Sequence, residues 1–139
     1  MPLQNLPRHY LVGVPFEKTD IADADGTLNT NQATTVTHTM PTGGAIVGVS
    51  GNMNGTLNTG TLQFQATING SLCPIFGQPT ALFDHSTTYA YGMQYAEKPN
   101  FQFAKGQYLG LLLHKTGTVE PVTNDAAVTL WVLLENVEL

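Results

Sequence analysis

Leu62-Gln63-Phe64-Gln65-Ala66-Thr67-Ile68-Asn69-Gly70 is the stretch that decides the fold class. Leu62, Phe64, Ala66 and Ile68 alternate with Gln63, Gln65, Thr67 and Asn69. A period of two puts successive side chains on opposite faces, so the pattern predicts a strand with one wet side. The run ends on Asn69-Gly70, two residues that tolerate the positive φ of a tight hairpin turn. Residues 71–76 are then expected to return as its antiparallel partner.

The same rhythm extends in both directions. Residues 9–16 read as a first strand bounded by Pro15, and residues 33–40 as a second with Val36, His38 and Met40 on one face. Pro41-Thr42-Gly43-Gly44 is a turn before a short strand at 45–50, and 51–60 is a turn region. Beyond a loop at 77–86, residues 87–96 alternate with Tyr89, Tyr91, Met93 and Tyr95 on one side. Residues 101–103 and 108–115 flank the turn Lys105-Gly106-Gln107, and 116–125 read as a loop. In the final strand, 127–139, Val128, Leu130, Val132 and Leu134 alternate with Thr129, Trp131 and Leu133. Its second face is apolar too, so that strand is expected to be covered on both sides. No window shows helical spacing with a credible cap. The expectation is one all-β domain over residues 8–139, an antiparallel jelly-roll-type sandwich of about eight strands. Residues 1–7, with Pro2 and Pro7, are expected to form an extended arm.

Composition narrows the function. Only 11% of the residues are charged, against about 25% in an ordinary soluble domain. Thr, Asn, Gln and Gly carry the polar surface instead, as in β-rich extracellular or virion surface proteins. Hydrophobic residues make up 42% of the chain, which excludes disorder throughout. The net charge is −5, and the five cations, Arg8, Lys18, Lys98, Lys105 and Lys115, are scattered. A nucleic-acid binder or an anionic-membrane binder needs them clustered, so neither partner is expected. The apolar run 109–113 is too short to span a bilayer. The first residues lack the apolar core of a secretion signal, which predicts synthesis in a cytoplasm.

Each motif with chemical potential meets a geometric objection. Asp20, Asp23 and Asp25-Gly26 resemble part of a calcium loop, but aligning Gly26 to the glycine of an EF-hand puts Ile21 and Gln32 at ligand positions. His9, His38, His85 and His114 contain no His-x-His pair of the cupin kind. Asp84-His85-Ser86 has the residue types of a catalytic triad, yet neighbours on an extended chain point apart. Glu97, Glu120 and Glu135 could pair across a cleft as glycosidases require, though nothing local argues it. Cys73, the single cysteine, lies in an apolar strand without a basic neighbour and reads as a buried, inert thiol. Asn54-Gly55-Thr56 and Asn69-Gly70-Ser71 match the glycosylation acceptor pattern but read as turns. The echo of 26–31 in 55–60 reads as two similar loops. No catalytic, cofactor-binding or metal-ligating residue is assigned, and the chain is not expected to be an enzyme. Tyr89, Tyr91 and Tyr95 with Trp131 could form a sugar-stacking platform, or pack a core or subunit interface.

Phe103-Ala104-Lys105-Gly106-Gln107-Tyr108-Leu109-Gly110-Leu111 is followed by Pro121, Asn124-Asp125 and the strand from Val128 to Leu134. This pattern, with the strands at 45–50 and 62–69, resembles the jelly-roll domains of tailed-bacteriophage capsid decoration (cement) proteins. More distantly, the chain resembles the complement-globular and tumour-necrosis-factor-like trimeric jelly rolls. The decoration-protein resemblance implies a virion structural protein, a homotrimer seated on the lattice of the major capsid protein. Residence on the capsid surface would follow synthesis in the host cytoplasm. Low charge with many apolar strand residues also favours an oligomer. Pro2, Leu3, Leu6 and Pro7 of the arm are the expected partner-binding residues, because an extended segment can grip a sheet edge or groove. The alternative expectation is a carbohydrate- or receptor-binding sandwich module.

Overall fold

A computed structural model describes residues 10–18, 37–74, 82–84, 86, 88–93, 99–121 and 123–135. The described chain is an antiparallel all-β sandwich, as the alternation predicts. Its strands are β1 (Tyr10–Lys18), β2 (His38–Thr39), β3 (Gly44–Met53), β4 (Thr59–Ile68), β5 (Ser71–Leu72), β6 (Leu82–Phe83), β7 (Tyr89–Met93), β8 (Gln102–Phe103), β9 (Tyr108–Glu120) and β10 (Ala126–Leu134). The first sheet has the order β1-β10-β3-β7, with β8 also paired to β3; the second has β2-β9-β4-β5, with β6 also paired to β4. The pairing is nested, joining β1 to β10, β2 to β9, β3 to β7 and β4 to β6.

The core lies between the sheets. Val14, Phe16, Ile46 and Leu130 of the first sheet form one buried cluster with Leu62, Phe83, Leu109 and Leu111 of the second. Burying each such side chain contributes about 1.5–3 kcal/mol. Ile46 and Val49 are both almost wholly buried although they stand three positions apart. Strict alternation would send one of them outward, and a bulge reconciles the two: Trp131 pairs with Gly48 while Val132 pairs with Ile46. At the β1–β2 edge His38 locks the sheets together. Its Nε2 donates to the Pro15 carbonyl at 3.1 Å, and its ring meets Phe16 edge-on with centroids 5.3 Å apart.

Turn chemistry agrees with the sequence at two places. Asn69 and Gly70 adopt φ of 52° and 82° between β4 and β5. Gly106 has φ of 87° in the turn before β9, where its N–H donates to the Met40 carbonyl. Elsewhere the strands depart from expectation. β1 runs through Pro15 to Lys18, because it is an edge strand whose outer side requires no donor. β3 continues through the expected turn as far as Met53, paired with β10 and β7. β9 continues to Glu120 because β4, which begins at Thr59, offers it a ladder; a register irregularity between Thr59 and Thr61 accommodates the extension. β6 falls in a stretch expected to be loop, and β5 is only two residues long. β10 is covered on one face, since Trp131 on the other remains 37% exposed.

The turn after β3 is held from across the molecule. The buried Asn124 donates through Nδ2 to the carbonyls of Gly55 and Thr56, at 3.1 and 3.3 Å. Asn54 accepts from the Asp125 N–H through Oδ1 and donates from its own N–H to the Asp125 carbonyl. These bonds anchor the start of β10 to the end of β3, and with it one end of the surface described next.

Candidate binding surface

The outer face of the first sheet is a grid set by its register. One row reads Gly13, Trp131, Gly48, Met93; the next Pro15, Thr129, Ser50, Tyr91; the third Glu17, Ala127, Asn52, Tyr89. Glu17 is the only formally charged residue in these twelve positions. Trp131 is flanked in its own row by two glycines, and that is why its indole lies over the sheet. A Cβ at Gly13 would stand 3.2 Å from Cζ3 of the ring, and one at Gly48 would stand 3.7 Å from the Trp131 Cβ. The indole Nε1 donates to Ser50 Oγ at 2.8 Å, which fixes the ring while leaving a face to solvent. Tyr91 and Tyr89 at the β7 edge are 51% and 65% exposed.

Between these rings the floor is low, because Ala127 carries little side chain. A basin of about 360 Å³ lies there, lined by Pro15, Ser50, Asn52, Tyr89, Ala127 and Thr129, with Glu17 at one side. A second basin of about 500 Å³ shares Glu17, Asn52 and Ala127 and continues past the strand ends to Asn54 and Asp125. The two form one trough running from Tyr89 and Ser50 around the end of the sheet, with Trp131 and Tyr91 in the rows beside it.

Among the described residues the other sequence candidates are not brought together. Pro2, Leu3, Leu6 and Pro7, His9, the Asp20–Asp25 cluster, the 26–31 echo, His85, Tyr95 and Glu97 lie outside the described residues. Glu120 ends β9, next to the start of β10, whereas Glu135 follows the far end of β10. Nine strand residues span about 30 Å, too far for paired carboxylate chemistry. Asp84 accepts from the Ser86 N–H and Oγ, both at 2.9 Å, in a local turn. Among the described residues no three of His, Cys, Asp and Glu gather as a metal-holding group. No helix among them is long and apolar enough to cross a membrane.

Cys73 is buried, as read from the sequence, and desolvation pushes its thiol from 9.0 up to about 11. The folded state therefore disfavours the thiolate. Stability from burying the neutral thiol is complete below pH 9 and erodes as pH rises from 9 to about 11. The native protein should react with a thiol reagent at pH 8 at least about 100-fold more slowly than the urea-unfolded chain. Equal rates would mean that the thiol is accessible.

Trp131 and Tyr91 were legible as a candidate pair from alternation alone. The glycines that seat the indole were not, since Gly13 and Gly48 meet Trp131 only through strand pairing. Compared with models of known protein families and with curated proteins, the chain matches none.

Proposed function

We propose that the protein is a non-catalytic virion structural component that binds the outside of a phage capsid as a homotrimer and stabilises it. On this reading it is made in the host cytoplasm and resides on the capsid surface. The nested pairing of β1 to β10, β2 to β9, β3 to β7 and β4 to β6 fits the jelly roll that the decoration-protein resemblance implies, and it supports the reading.

The observation that carries the proposal is the edge strand β1. It is nine residues long, pairs only with β10 among the described strands, and exposes Tyr10, Leu11 and Val12 at 43%, 62% and 37%. Tyr10 and Val12 share the parity of the buried Val14 and Phe16, so side chains of the core face stand open at this corner. A long apolar edge in an isolated domain invites strand addition or aggregation. A subunit or capsid neighbour laid against it would satisfy both the backbone edge and the apolar side chains. A ligand that binds only the assembled lattice then stabilises it by mass action.

The test is sedimentation of the purified protein, followed by capsid thermal rupture with and without it. Capsids built from the major capsid protein of the same genome are the substrate. A trimer that raises the rupture temperature is expected. A monomer without affinity for those capsids would overturn the proposal.

A further inference from the structure

We infer that the trough on the outer face of the first sheet is a binding site for a neutral oligosaccharide. This goes beyond the capsid reading and does not depend on it, since it rests on different residues.

The argument begins with the rings. Trp131 lies across the sheet between Gly13 and Gly48, held by its 2.8 Å bond to Ser50 Oγ. Because that bond already satisfies the indole N–H, the ring presents an apolar, electron-rich face with no remaining donor. Such a face suits the C–H side of a pyranose ring, whose axial hydrogens are weakly positive. Tyr91 and Tyr89 add two further exposed rings along the β7 edge, one row apart. Rows in a strand recur at about 6.6 Å. The grid from Trp131 to Ala127 is thus about 13 Å long, room for about two or three sugar rings.

The polar groups are the second part of the argument. Between and beside the rings stand Ser50, Thr129 and Asn52, hydroxyls and an amide that both donate and accept. Vicinal sugar hydroxyls ask for that dual capacity. A protein partner's apolar anchor would instead leave these groups to be desolvated without bonds. Charge decides the rest. Among the described residues Glu17 is the only charged one lining the nearer basin, and the farther one adds Asp125. Among the described residues the lining holds two carboxylates and no cation, a balance that repels phosphates, sulfated glycans and uronic acids. They leave a neutral glycan as the matching ligand.

The chain contains a single tryptophan, so the experiment reads the site directly. The full protein is titrated with neutral oligosaccharides of glucose, mannose, galactose and N-acetylglucosamine while Trp131 emission is followed. One of them is expected to shift that emission saturably at up to about 10 mM, within the range of weak ligand binding. Tyr89→Ala and Asn52→Ala are expected to weaken binding by about tenfold each, with the thermal midpoint unchanged because both side chains are exposed. Three outcomes would overturn the inference. One is that no neutral sugar in the panel moves the emission. Another is that acidic oligosaccharides bind as tightly as neutral ones. The last is that the emission shifts with protein concentration alone, which would mean that a second copy of the chain covers the face.

Discussion

Phe16→Ala is expected to lower the unfolding free energy by about 3–5 kcal/mol, the cost of emptying a large aromatic site in a packed core. Phe16 is 1% exposed on β1. Its ring does more than fill volume, since it meets His38 of the second sheet edge-on at 5.3 Å and 86°. The neighbouring Pro15 carbonyl accepts from the same histidine. Removing the ring leaves a cavity at the sandwich edge and strips one side of His38 of packing. β1 is an edge strand, so some collapse will offset the loss and keep it near the lower bound. Small domains have about 5–15 kcal/mol in total, so this one change consumes a large fraction of it. Urea unfolding followed by Trp131 fluorescence measures the change, with the slope unchanged if the unfolded state is unaffected. A loss below about 1 kcal/mol would place Phe16 outside the core and sink the packing described for β1.

The same strand shows where local reading succeeds and fails. Alternation of Val14 and Phe16 with Gly13, Pro15 and Glu17 is visible in the sequence, and so is the strand. Its end is not, because Pro15 is read locally as a terminator. The missing N–H matters only if a neighbour lies on that side, and strand order decides this. β4 was legible from Leu62 onward because its alternation is clean and its turn demands Asn69-Gly70, whereas its first residues, Thr59 and Gly60, read as turn. β6 was invisible, as two residues carry no period. In β10 the apolar outer positions Trp131 and Leu133 suggested a second covering layer. The structure leaves Trp131 of that face partly exposed, and hydropathy cannot distinguish a covered face from a binding face. For the candidate site, Tyr89, Tyr91 and Trp131 were nameable beforehand. Their arrangement was not, because Gly13, Ser50 and Trp131 meet only once sequence-distant strands have paired.

Leu11→Lys is expected to abolish trimer formation at micromolar concentration while leaving the monomer folded. Leu11 is 62% exposed on the outer side of β1, so the lysine can keep its charge in water in the isolated subunit. Folding stability should change by no more than about 0.5 kcal/mol. In the assembly the same position changes sign. Burial of the leucine contributes about 1.5–3 kcal/mol per copy, and a lysine both forfeits that and must be desolvated. A net loss of about 3 kcal/mol at each interface is a weakening of about 100-fold, and a ring of three closes only if all its interfaces hold. Lysine on an exposed edge is also the device by which sheets avoid edge-to-edge pairing. Sedimentation should therefore report monomer, with an unchanged urea midpoint and no rise in capsid rupture temperature. A trimer that survives the substitution would move the interface away from β1. Sugar binding offers an internal control, because Leu11 lies outside the trough: the Trp131 titration should be the same in the variant as in the parent. Loss of assembly with retention of that response would separate the two surfaces of one sheet, the edge for subunits and the face for glycan.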